Sequence, residues 1–268
     1  MQPPSLVLCA IESAARVYED RPVVFFMKGL NDSSSEANKK KYFPSLSSFK
    51  NVYVFPLRME EIFADTPLST WYQKIDPKKE LYWTHVSADG CRLALIWKHG
   101  GIYMDTDIIS IKRIPHQHFL AAETHQYSSN GIFGLSSHHA FTWKGMEDFA
   151  QNYQGDEWGY QGPDLFTRTL QQFCTIPQFI EEEDIVCGNI MFLHPFRFYP
   201  IPYQIWKRYY EVWDEEPTFD YSYALHLWNY MNEEGKTMVL GSNTLVEHLY
   251  QKYCPSVYGE LAGNKNTV

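Results

Sequence analysis

Two aspartates one residue apart, Asp105 and Asp107, end the run Gly100-Gly101-Ile102-Tyr103-Met104-Asp105-Thr106-Asp107. On extended backbone, alternation puts both carboxylates on one side, where they can share one hard divalent cation that also holds a diphosphate. Mn²⁺ or Mg²⁺ in that place would offset the charge that develops on a departing diphosphate. The pattern alone is common, and two solvated aspartates in an exposed turn also satisfy it. Asp89 and Arg92 stand three apart on an otherwise apolar helical segment and so share a face. They are either a local ion pair on a wet surface or a sugar-binding pair. In the second case Asp89 accepts from sugar hydroxyls while Arg92 presents its planar fork to sugar or phosphate. Gln161 and Asn130 adjoin glycines, where backbone lets a ligand approach closely. His226, on an apolar strand, reads first as a structural histidine. A glycoside-hydrolase reading is remote, because Asp105 and Asp107 are too close in sequence and too polar in setting to make a convincing acid and base pair.

The elements that must position these groups alternate between helix and strand, which predicts an α/β chain. Helical spacing of Val86, Leu93, Ile96 and Trp97 predicts a helix over 85–99, stopped by Gly100-Gly101. Strands over 102–105 and 108–111 follow, so the carboxylates sit at a strand end. Upstream, the pattern predicts a helix over 9–18, a buried strand over 23–27, a second strand over 52–55, and two short helices broken at Pro67. The polar stretch 31–41 reads as a mobile loop. Downstream, helices are expected over 140–153, 162–174 and 204–212, and strands over 190–193 and 224–228. A last helix follows from Ser242, whose hydroxyl is the expected cap. With no repeat, low-complexity tract or linker, 1–268 reads as a single catalytic domain.

The 268 residues are 44% hydrophobic, enough for a sizeable core. A net charge of -9, with no basic run beyond Lys39-Lys40-Lys41, argues against nucleic acid as a partner. No apolar run is long enough to span a bilayer, and Met1-Gln2-Pro3-Pro4-Ser5 lacks the features of a signal peptide. Of five cysteines, Cys174 and Cys187 lie close across a predicted loop and are the expected bridge, while Cys91, inside a helix, is the expected free thiol. Asn31-Asp32-Ser33 is a glycosylation sequon, which points weakly to a secretory location.

The run Ser87-Ala88-Asp89-Gly90-Cys91-Arg92, continued through Trp97-Lys98-His99-Gly100-Gly101-Ile102-Tyr103-Met104-Asp105-Thr106-Asp107, resembles the DXD sugar-binding region of glycosyltransferase family 32. Segments such as Cys9-Ala10-Ile11-Glu12-Ser13, Tyr127-Ser128-Ser129-Asn130-Gly131, Gln161-Gly162-Pro163 and His226-Leu227-Trp228-Asn229 extend the resemblance over nearly the whole chain. The DXD region would span about 85–111 and the α1,4-glycosyltransferase C-terminal part about 120–257. The resemblance implies a GT-A-like nucleotide-sugar-binding fold with a helical C-terminal elaboration. Because the chain starts almost at the first helix, the fold is expected to lack its first strand.

It further implies that Asp89 and Arg92 are catalytic and bind the donor sugar, with Tyr103, Asp105, Gln161 and Trp228 completing the donor site. Asp105, Asp107 and His226 would hold a divalent cation, Mn²⁺ ahead of Mg²⁺. Tyr209-Tyr210-Glu211-Val212-Trp213-Asp214 and Gly241-Ser242-Asn243-Thr244-Leu245 resemble the N-acetylglucosaminyl branch more than the galactosyl branch. The expectation is therefore a retaining transferase moving GlcNAc from UDP-GlcNAc to the 4-hydroxyl of a terminal β-galactose on O-glycans. The alternatives are α1,4-galactosyl transfer to lactosylceramide-type glycolipids, and a truncated, inactive sugar-binding form. The implied location is the Golgi lumen, as a type II membrane protein whose N-terminal anchor is absent from this chain.

Overall fold

The computed structural model describes residues 3–31 and 34–265. These fall into two units. The first comprises Met1–Leu57, Thr106–Arg113 and Arg197–Val268; the second comprises Arg58–Asp105 and Ile114–Phe196. The class is α/β, as the alternation of elements predicts. Met1, Gln2 and the Asp32-Ser33 part of the sequon lie outside the described residues, among which no strand precedes the first helix.

In the first unit, α1 (Ser5–Val17) turns Leu8, Ile11, Ala14 and Ala15 into the core. Glu12 shares that buried face. Its carboxylate meets Arg16 at 2.8 Å and accepts the backbone N–H groups of Ser256 and Val257 at 2.9 and 2.8 Å. Those amides open α9 (Pro255–Lys265), where the first N–H groups have no intrahelical acceptor and an anion is favoured. A Cys9–Cys254 disulfide pins the same two ends of the chain. Nothing local in the sequence marks this bridge, because its partners are 245 residues apart.

Strands β1 (Val23–Met27) and β2 (Val52–Pro56) pair in parallel. β1 is less buried than expected, with Val24 42% exposed. The stretch expected to be a mobile loop instead contains α2 (Ser35–Tyr42), capped by the Ser34 hydroxyl accepting from Ala37 N–H at 3.3 Å. Asn38 and Lys39 of this helix are buried, and their polar ends donate to the carbonyls of Val54 and Phe49. Tertiary hydrogen bonds thus overrule a polar composition. β4 (Ile108–Ser110) runs antiparallel to β9 (Ala224–His226), in a register that sets His226 opposite Ile108. The expected helix at 204–212 is a 3-10 segment, Tyr203–Tyr210. The last predicted helix divides into α8 (Leu245–Tyr253) and α9. The residue before α8 is Thr244, not Ser242, whose hydroxyl bonds the Thr244 hydroxyl instead.

The second unit begins with α3 (Met59–Phe63), α4 (Leu68–Lys74) and α5 (Trp83–His99). Its five-stranded mixed sheet is ordered β3 (Gly101–Met104), β6 (Tyr127–Leu135), β5 (Phe119–Thr124), β8 (Ile190–Leu193), β7 (Ile185–Cys187). Helices α6 (Ala140–Gln151) and α7 (Pro163–Leu170) pack with α5 and β6 around Leu93, Phe119, Phe133, Phe141 and Phe166. The predicted Cys174–Cys187 bridge is present, and among the described residues Cys91 is the free cysteine. Burial pushes the Cys91 thiol up to about 12, which makes it inert as a nucleophile at neutral pH.

Between α5 and β3, Gly100 adopts φ +67°, and a Cβ there would lie 2.6 Å from the Ser137 backbone nitrogen. Glycine alone fits both the backbone angle and the space. The chain therefore leaves α5 directly into the strand that delivers Tyr103 and Asp105. Beyond Met104 the backbone turns at Thr106 and Asp107. This corrects the extended reading of the motif: alternation does not set the direction of the two carboxylates, and the boundary between the units falls between Asp105 and Thr106.

Candidate active site

The second unit gathers Asp89, Arg92, Tyr103, Asp105 and Asn130 through hydrogen bonds that cross from helix to sheet. Arg92 is buried on α5. Its guanidinium donates to the Asn130 carbonyl at 2.7 Å and lies 3.3 Å from both Asp105 Oδ1 and Asp89 Oδ1. The Tyr103 ring lies under it, with its centroid 4.7 Å from the guanidinium carbon. Tyr103 in turn donates its hydroxyl to Asp105 Oδ1 at 2.6 Å. With Arg92 Nε also donating to the Ala88 carbonyl at 3.4 Å, the guanidinium is held by four acceptors and one ring face, and its fork is fixed before any ligand arrives. Burial works against its charge, but the neighbouring Asp105 and Asp89 carboxylates keep it protonated.

Asp89 is buried and accepts from the Asn130 side-chain amide at 2.7 Å. Burial raises its pKa to about 6; the Arg92 charge and the Asn130 hydrogen bond oppose the shift without cancelling it. Gly162, just before α7, keeps space here, since a Cβ would stand 3.0 Å from the Asn130 amide nitrogen and 3.1 Å from Asp89 Oδ2. The surface ion-pair reading of Asp89 and Arg92 is thereby set aside. Tyr103 titrates well above its ordinary range, chiefly through burial, and stays a hydrogen-bond donor.

Sequence reasoning missed His85. It precedes Asp89 by one helical turn, and the spacing 85, 89, 92 follows one stripe of α5. Desolvation and the Arg92 charge hold its ring below the ordinary histidine range, hence neutral at pH 7. The stripe was legible in the sequence once Asp89 and Arg92 were paired. Gln161 is not among the hydrogen-bond partners of Asp89, Arg92, Tyr103 and Asp105 given above. It is buried, its amide donates to the Phe149 carbonyl at 3.0 Å and its oxygen faces Gln154 N–H at 3.4 Å, so it braces a loop.

The first unit gathers Asp107, His226 and Trp228. Pairing of β4 with β9 brings the ends of two distant segments together, and the Leu227 N–H donates to the Asp107 carbonyl at 3.0 Å. Asp107 Oδ2 accepts from the Asn229 N–H at 2.8 Å, and its Oδ1 lies 3.4 Å from His226 Nε2. Trp228 N–H donates to His226 Nδ1 at 3.3 Å, an arrangement that fixes the ring's orientation. Trp228 itself holds a left-handed backbone, φ 55°, and its indole N–H donates to the Ile201 carbonyl at 2.7 Å. A bulky residue in that conformation stores strain, and such strain concentrates at ligand sites. A carboxylate oxygen and an imidazole nitrogen at this spacing are a donor set that can serve a divalent cation with open positions for further ligands.

Residues 134–261 match the family described as the alpha 1,4-glycosyltransferase conserved region, and residues 4–126 match the glycosyltransferase sugar-binding region containing the DXD motif. Alpha-1,4-N-acetylglucosaminyltransferase of Homo sapiens is 56% identical over 263 residues, covering 97% of this chain and 77% of that protein. Lactosylceramide 4-alpha-galactosyltransferase of Mus musculus is 37% identical over 260 residues, covering 96% of this chain and 72% of that protein. Among solved structures, PaToxG glycosyltransferase aligns with a TM-score of 0.49 at 20% identity, over 64% of each chain.

Proposed function

Because the chain belongs to the alpha 1,4-glycosyltransferase family, we propose that it moves N-acetylglucosamine from UDP-GlcNAc to the 4-hydroxyl of a terminal β-galactose on O-glycans, with retention. The observation that carries the donor site is the immobilised Arg92 fork, held by Asn130, Asp105 and Asp89. A cation–hydrogen-bond array that needs no reorganisation acts on sugar and phosphate oxygens at the moment the glycosidic bond breaks. Asp89, ionised above its raised pKa of about 6, accepts from sugar hydroxyls. Tyr103 packs on Arg92 and positions Asp105 toward the nucleotide ribose.

Asp107 and His226, with Asp105 assigned from the DXD pattern, hold a divalent cation, Mn²⁺ by preference, whose chemistry is to neutralise the departing diphosphate. Trp228, locked beside His226, shields that diphosphate. The whole chain acts as one catalytic domain, with Gln161 supporting the donor pocket through its loop. The Golgi lumen is the proposed location. Two disulfides among the described residues, at home in an oxidising compartment, support it. Among those residues no helix is long and apolar enough to cross a membrane.

The test is release of UDP from UDP-GlcNAc and from UDP-Gal, each with Mn²⁺ and a β-galactoside acceptor. Turnover that requires Mn²⁺ and prefers UDP-GlcNAc is expected. Preference for UDP-Gal would move the proposal to the galactosyl branch, and donor binding without turnover would favour a sugar-binding form.

A further inference from the structure

Trp97 lies near the end of α5 and Trp143 near the start of α6, and the two helices pack side by side. Their ring centroids are 5.1 Å apart, with the planes tilted by 44°. His138, in the turn ahead of α6, donates its N–H to the Trp97 carbonyl at 2.7 Å and sets its ring edge-on to Trp97 at 4.6 Å. With Ala140, Lys144 and Glu147 these three rings line a cavity of about 510 Å³, a size that holds a small ligand. Arg92 precedes Trp97 by five residues, which sets it about 140° away around the helix. The cavity therefore opens on a different face of α5 from the Arg92 fork.

The polar groups on this cavity are not spoken for. Glu147 Oε1 accepts the Trp143 indole N–H at 2.8 Å, which leaves its second oxygen without a partner among the described residues. The exposed Lys144 ammonium and the His138 ring nitrogens also have no hydrogen-bond or ion-pair partner there. One cation and one anion offset each other, so the lining does not select a phosphate, and charged groups at its edge disfavour a lipid chain. Ring faces flanked by donors and acceptors suit a pyranose, whose C–H bonds make a face apolar while its hydroxyls leave from the edge. β-Galactose has such a face, because its axial hydroxyl projects from the opposite side. We infer that this cavity is a second glycan site, in which a β-galactose ring lies on Trp97 and Trp143 while Glu147, Lys144 and His138 bond its hydroxyls. The choice of galactose rests on the acceptor proposed above; the capacity to hold a sugar does not. A substrate bearing many glycans is held here by one copy while another reacts, which raises the effective concentration of the second.

The experiment follows the indole N–H resonances of the native chain as methyl β-galactoside is added without UDP or cation. The signals of Trp97 and Trp143, assigned through Trp97→Phe and Trp143→Phe, should shift together. Absence of a shift overturns the inference, and an equal shift with cyclohexanol overturns the assignment to sugar. Lys144→Ala removes no bond of the free chain, so its melting temperature should match the native value while galactoside binding weakens roughly 3- to 10-fold. Unweakened binding counts against the site. With UDP-GlcNAc and a polymer displaying β-galactosides, Lys144→Ala should raise KM by a similar factor and leave kcat unchanged; an unchanged KM overturns the tethering role. A native chain whose indole signals shift but which releases no UDP leaves this inference standing and removes the proposed activity.

Discussion

Asp89 illustrates how a group proposed to bind the donor sugar can work against the fold that holds it. Its pKa rises from 3.8 to about 6 through burial, so between those values the folded chain binds more protons than the unfolded one. Unfolding free energy therefore falls as pH rises through that window, and above about pH 6 the ionised carboxylate is a standing cost. Asp89→Asn is expected to raise the melting temperature at neutral pH, with the difference from the native chain vanishing near pH 4. The same variant should bind donor weakly at every pH, while native donor affinity drops only as pH falls through about 6. Parallel melts and UDP-sugar titrations across that range would reveal a different ordering. The DXD carboxylates are also unequal. Asp107→Ala should abolish cation-dependent UDP binding with the far-UV circular dichroism unchanged. Asp105→Ala should in addition lower the melting temperature, because Arg92 and the Tyr103 hydroxyl each lose a partner. Equal melting of the two variants would contradict that distinction. Residue types and spacing made Asp89, Arg92 and Asp105 legible and the family resemblance added Tyr103, all four lying within one helix–turn–strand. Asn130 was placed beside them only through a glycine neighbour, and its grip on Asp89 and Arg92 depends on sheet pairing that no local pattern encodes.

The helix–turn–strand from α5 to β3 is the element on which that legibility rests. Its turn depends on Gly100, where the left-handed angle and the 2.6 Å approach to Ser137 leave no room for a side chain. Gly100→Ala is expected to destabilise the chain by about 1–3 kcal/mol and to weaken donor binding by misplacing Tyr103 and Asp105. Denaturant melts together with UDP titration would test both, and an unchanged midpoint would refute the first. Elsewhere the periodic signal was misleading or absent. The strands β5 and β6 are buried on both faces, so their sequence lacks the alternation that marks a half-exposed strand and escaped prediction. α2 escaped for the opposite reason: it is polar, and what orders it is the burial of Asn38 and Lys39 against β2 and the turn before it.

On the scale of the molecule, the two disulfides differ in what they constrain. Cys174–Cys187 closes 13 residues of the second unit, whereas Cys9–Cys254 closes 245 residues. On the chain-entropy account the longer loop contributes on the order of 5 kcal/mol and the shorter about 3. The double variant Cys9→Ala with Cys254→Ala should therefore lower the denaturant midpoint more than Cys174→Ala with Cys187→Ala, and the reverse order would show strain or residual structure to dominate.

The arrangement also bears on biosynthesis. The segment 58–196 that contains the second unit is complete while a quarter of the chain is still to be made. α1, by contrast, is made before the second unit and its partners at residues 254–257 after it. Until residues 254–257 arrive, Cys9 has no sulfur to join and the Glu12 carboxylate has no helix to cap. The first unit thus cannot mature in the order in which it is synthesised. A chain lacking residues 254–257 would leave α1 with its apolar face, the Glu12 carboxylate and the Cys9 thiol all short of the partners they have here.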